Sequence, residues 1–146
     1  MVEINKKSLI FGIILGFLNW LWAFIIVGSA YYDFIANKPV VNPNLGVYIT
    51  LIIVNFIVSI IAFSIYLWKY EQNNPIIPDK WAVDAIVLGV IICAMNFLFD
   101  IVFFGLFLQR NLISYFWLET TTGIFYPLII LVVLILAYLI YGRKKQ

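Results

Sequence analysis

The sequence predicts an all-α, polytopic membrane protein: a bundle of four transmembrane helices. Three observations lead there. Hydrophobic residues make up 65% of 146 residues and charged residues only 11%, more apolar surface than a water-soluble fold of this length can bury. The charges cluster at a few points along the chain. Between them lie four apolar stretches, each near or above the roughly 20 residues that a helix needs to cross hydrocarbon. They fall at 8–30, 45–68, 81–108 and 112–141, within a single transmembrane domain spanning 1–146.

The first stretch follows "VEINKK" and ends near "GSA" (28–30). Its apolar run exceeds the usual 7–15 residues of a signal-peptide core, so it is read as a retained helix. The connection to helix two contains Pro39 and Pro43 and is too short for an outer domain. The second connection carries Pro75 and Pro78, with Asp79 as the expected N-cap of helix three. Helices three and four are joined only by residues around "QRN" (109–111), which requires a tight antiparallel hairpin.

Basic residues set the expected orientation. Lys6, Lys7, Lys69, Lys80, Arg143, Lys144 and Lys145 fall on one side and only Lys38 and Arg110 on the other. The positive-inside rule then places both termini and the middle connection in the cytoplasm, in a prokaryotic-type cell membrane. Tyr31, Tyr32, Trp68, Tyr70 and Trp81 suit the headgroup levels.

Helix one matches helix three without a gap at a shift of 77 residues. Gly12 falls on Gly89, Asn19 on Asn96, Leu21 on Leu98 and Gly28 on Gly105, and "NWLWAFIIVG" (19–28) meets "NFLFDIVFFG" (96–105). Helices two and four match poorly, so a duplicated hairpin and chance resemblance in a restricted alphabet both stay open. A true duplication would be a parallel repeat. Its shared glycines would allow close helix approach, and its paired asparagines could hydrogen-bond between the halves.

Several function classes drop out. Cys93 is the sole cysteine and histidine is absent. An intramolecular disulfide, a CxxC redox pair, histidine-ligated haem or zinc and a Ser-His-Asp triad are therefore excluded within this chain. There is no G-x-x-x-x-G-K phosphate loop. No cofactor and no metal is implied. The net charge of +2 is accounted for by topology and implies no nucleic-acid partner.

Polar residues inside the spans are costly and mark the candidate site. They are Asn19, Asn55, Asn96, Asp100 and Glu119, with Thr120, Thr121 and Thr122 alongside. Asp100 and Glu119 lie nine or ten residues either side of the hairpin turn, roughly 14 Å along regular helices. Antiparallel packing would bring both to one depth, where two carboxylates would share a proton or hold a cation. Asn96, Asn55 and Thr122 would be neutral ligands beside them. Gly123 and Pro127, in "ETTTGIFYP" (119–127), would shape the site, with a kink at the proline.

Three readings are open. The first is a small transporter or permeation protein with a proton- or cation-binding carboxylate pair. The second is an accessory membrane subunit whose polar residues fix helix packing. The third is a membrane-embedded enzyme acting on a lipid-like substrate, so enzyme status stays uncertain, with the balance against it. Expected partners are membrane lipid, a small cation or hydrophobic solute, and a second copy of the chain or a larger membrane complex. No family pattern is carried by enough residues to transfer a function.

Overall fold

The computed structural model describes residues 6–69, 74–119 and 122–145. Four helices in it are long and apolar enough to span a membrane. Helix α1 covers Lys6–Gly28, α2 Leu45–Lys69, α3 Trp81–Asp100 and α4 Phe125–Ile140. Their outer faces carry exposed apolar side chains at helical spacing, such as Ile53, Ile57, Ile61 and Ile65 on α2. In water that pattern would be unfavourable; against lipid tails it is the expected solvent-facing surface.

Between α1 and α2, strands β1 (Tyr32–Asp33) and β2 (Lys38–Pro39) form a small antiparallel hairpin, pairing Tyr32 with Pro39 and Asp33 with Lys38. The Asp33 carboxylate closes its turn by accepting the backbone N–H groups of Ile35 and Ala36. Asp79 is not the N-cap of helix three. A 3-10 turn at Pro78–Lys80 precedes α3 and puts Lys80 in the cap position.

Helices three and four depart most from regular expectation. Beyond Asp100 the chain continues as a π-helical segment, Ile101–Phe107, and reverses through Gln109, whose φ is 51°. A second π-helical segment, Ser114–Glu119, follows. A 3-10 turn, Thr122–Ile124, then leads into α4. The expected continuous helix at 112–141 with a kink at Pro127 is thus several segments. Pro127 sits in the first turn of α4, where a missing N–H breaks no intrahelical bond.

The helices form a ring. Helix α1 packs against α2 and α3, and α4 packs against α2 and α3, so α2 and α3 stand on opposite sides. Glycines permit the closest approaches. A Cβ on Gly16 would lie 2.5 Å from Met95 Cβ, and one on Gly89 would lie 2.9 Å from the Ile130 Cα. The matched glycines Gly12 and Gly89 have different neighbours, Ile91 of α3 and Ile130 of α4.

One end of the ring is solid. It holds the start of α1, the end of α4 and residues 74–80 ahead of α3, and its core is Leu15, Phe63, Leu67, Leu88, Ile92, Val133 and Ala137. Asn74, Pro75 and Ile76 are buried against it like a plug. Polar bonds hold the plug. Ser8 Oγ donates to the Pro75 carbonyl at 2.7 Å, and Asn74 Nδ2 donates to the Leu67 carbonyl at 2.8 Å. Asp84, buried rather than solvated, accepts the Ile77 N–H at 2.8 Å. The Tyr141 hydroxyl also donates to the Leu67 carbonyl. Replacing Ser8 by alanine leaves the buried Pro75 carbonyl without that donor and should cost about 1–2 kcal/mol, read as a lower unfolding midpoint in detergent.

Candidate functional site

The other end of the ring, beneath the β-hairpin and the α3–α4 turn, is hollow. A cavity of about 580 Å³ is lined by all four helices and reaches exposed residues Tyr31, Pro39 and Arg110, where it opens. That volume falls within the range of small-molecule sites. Its walls are mainly aromatic. Phe24 and Phe103 meet edge to face with centroids 4.8 Å apart, and Phe104 stacks on Tyr115 at 5.0 Å. The π-helical segment after Asp100 contributes both Phe103 and Phe104 to this wall.

The floor is a chain of hydrogen bonds. Trp22 Nε1 donates to Ser59 Oγ at 3.1 Å, and Ser59 Oγ donates to Asn19 Oδ1 at 3.0 Å. Asn19 Nδ2 then donates to Asn96 Oδ1 at 2.9 Å. Asn96 Nδ2 in turn donates to the Ile92 carbonyl at 2.8 Å and the Gly16 carbonyl at 3.2 Å. Three helices are tied together with every amide group engaged. The bond between the two asparagines at the 77-residue spacing is the contact the sequence comparison anticipated.

Asp100 stands one turn above this floor. It is only 8% exposed, and its carboxylate accepts Trp20 Nε1–H at 2.8 Å and the Tyr126 hydroxyl. No basic side chain among the described residues pairs with it. Asn55, on α2, also lines the cavity, and its Oδ1 is buried with no hydrogen-bond partner. A buried acceptor left unmatched is uncommon and costs about 1–3 kcal/mol.

Topology puts these two groups at one level. Helix α2 runs toward the solid end, so Asn55 lies one turn, about 6 Å, nearer the opening than Ser59. Helix α3 runs the opposite way, and Asp100 lies the same step beyond Asn96. Ser59 and Asn96 both bond Asn19. Asp100 and Asn55 therefore face the hollow from opposite sides of the ring, at equal height above the floor.

Glu119 is not brought to Asp100. It is exposed, does not line the cavity, and accepts the Ser114 hydroxyl at 3.0 Å. The depth argument assumed regular helices on both sides of the turn, and the π-helical segments change which way each side chain points. Thr122 does line the cavity. Gly123 is buried beneath the Trp117 ring, whose Cε2 would be 2.6 Å from an added Cβ. Pro127 is exposed and outside the cavity wall. Thr120 and Thr121 lie outside the described residues. Arg110 is at the cavity mouth with its guanidinium 6.0 Å from the Tyr115 ring centroid.

Trp20 and Tyr126 are the site residues that sequence reading missed. The available signal was position: both rings carry a polar hydrogen and prefer the membrane interface, yet each falls well inside a span as the sequence bounds it, 8–30 and 112–141. A tryptophan or tyrosine at that depth asks for an acceptor, and Asp100 is the acceptor. The chain matches no protein-family profile, and no characterised protein or solved structure shows significant similarity to it.

Proposed function

We propose that this chain is a small transporter or permeation protein of a prokaryotic-type cell membrane, in which Asp100 binds a proton or a cation. One observation carries the reading: a buried carboxylate with no basic partner among the described residues faces a cavity that reaches exposed residues at the hairpin end. The excess of basic residues at the solid end supports a topology with the termini and the plug in the cytoplasm and the cavity mouth outside. Membrane lipid surrounds the bundle, and a second copy of the chain is its simplest assembly partner.

A packing role suits Asn19, Asn96 and Ser59, which satisfy one another. It does not account for Asn55, whose acceptor has no partner. On this reading the shared asparagines and glycines of α1 and α3 descend from one ancestral hairpin, and Asp100 in place of Ala23 is what the second copy gained. The enzyme reading is weaker, because among the described residues no second acid joins Asp100 at the cavity to divide acid and base roles.

The test is flux in vesicles containing purified protein, with proton movement followed by an entrapped pH dye and sodium or potassium gradients imposed separately. Asp100→Asn should lower the protein-dependent flux tenfold or more, on the order of 1.4 kcal/mol or more at the rate-limiting step. Glu119→Gln should leave it within about twofold of the unaltered protein, on the same rate scale. Undiminished flux in a folded Asp100→Asn protein would overturn the proposal.

A further inference from the structure

We propose that the cavity takes a protonated primary amine with an apolar or aromatic body, its ammonium group lodged between Asp100 and Asn55. The proposal rests on the reading of Asp100 as an ion-binding group and names the ion. Asp100 faces the hollow as an acceptor, and the Asn55 amide, a donor and an acceptor, lines it at that level. The Asp100 oxygens each accept one bond from the protein, from Trp20 and Tyr126, and each retains a further lone pair. The buried Asn55 Oδ1 accepts none, and a half-turn of its amide would bring it to the hollow. An ammonium group with three N–H donors matches that set in both charge and hydrogen bonding.

Inorganic cations match it less well. A calcium ion seeks six to eight oxygen ligands, whereas this level offers one carboxylate and one amide oxygen. Most of the remaining wall is aromatic or apolar, as at Phe24, Phe103 and Phe104, and such faces attract an organic cation while burying its hydrocarbon. A cavity of about 580 Å³ leaves room for a body well beyond the ammonium group. The plug closes the opposite end, so the amine enters from the mouth beside Tyr31 and Arg110.

The experiment compares three compounds that share one body: 4-phenylbutylammonium, trimethyl(4-phenylbutyl)ammonium and 4-phenylbutan-1-ol. Binding to purified protein in detergent is measured by calorimetry, with empty micelles as background. The primary amine should bind, the quaternary ion and the alcohol about tenfold or more weakly, because each lacks either N–H donors or charge. Asp100→Asn should weaken the amine about thirtyfold or more, and Asn55→Ala about fivefold to tenfold. Ala23→Phe, which narrows the cavity beside Asp100 while keeping the carboxylate, should weaken amine binding about tenfold or more and so serves if Asp100→Asn proves unstable.

Equal binding of all three compounds, or amine binding indifferent to both Asp100→Asn and Ala23→Phe, would overturn the proposal. Vesicles that show Asp100-dependent proton flux yet bind no amine would overturn the amine alone and leave the carrier in place. Amine binding that needs Asp100, with no flux of any ion, would support the site and overturn the carrier reading.

Discussion

Gly89→Leu should yield protein that fails to reach the folded state in detergent. A Cβ at this position would stand 2.9 Å from the Cα of Ile130, a backbone atom in the middle of α4 that cannot rotate away. The helices must separate, and the leucine then needs space that a packed interface does not hold. Overpacking by a few carbons typically costs about 1–3 kcal/mol, and more where backbone must move. Gly89→Ala should already lower the unfolding midpoint. Gly105 provides the contrast, since a Cβ there meets only the Leu112 side chain at 3.5 Å, an ordinary contact. Gly105→Ala should change stability by no more than about 0.5 kcal/mol. Equal effects at the two glycines would show that α3 and α4 do not pack at Gly89 as described.

Asn96→Leu should have the second-largest effect. It removes the acceptor of the Asn19 amide and the donor to the Gly16 and Ile92 carbonyls, inside an interface with little water to replace them. Interhelical bonds in lipid are individually modest, averaging about 0.6 kcal/mol with a maximum near 1.7. Leaving the Asn19 Nδ2 donor unpaired adds its own cost, so a loss of about 2 kcal/mol is expected. The double variant with Asn19→Leu should be less damaged than the sum of the two single variants, because each single change orphans the other partner. Strict additivity in this thermodynamic cycle would mean that the two amides act independently.

Four apolar helices were legible in the sequence because length and hydropathy set them directly. The starts of α2 and α3 fall where expected, at Leu45 and Trp81. The pairing of Asn19 with Asn96 was legible too, since matching residues on neighbouring parallel helices reach the same depth. The Asp100–Glu119 pair failed for a local reason. Counting residues from the turn gives depth, but facing depends on helical phase, and the π-helical segments at 101–107 and 114–119 alter that phase. Nothing in "IVFFG" or "SYFWLE" announces such a change. The unmatched acceptor of Asn55 was equally hidden, because satisfaction of a polar group depends on what other helices bring to it. Trp20 and Tyr126 were readable in principle, as polar-tipped rings placed away from the interface.

Everything functional in this account depends on Asp100 being an ionisable group reached from the cavity mouth, not an acid sealed into helix packing. Infrared difference spectroscopy on oriented vesicles can read the protonated carboxyl band of this one residue, identified by its absence in Asp100→Asn. With the protein inserted in a single direction, the band should respond to pH on the mouth side and stay unchanged when pH varies on the plug side. A band that ignores pH on both sides, in protein whose unfolding midpoint is normal, would show that Asp100 is structural and that the cavity is not its route to solution.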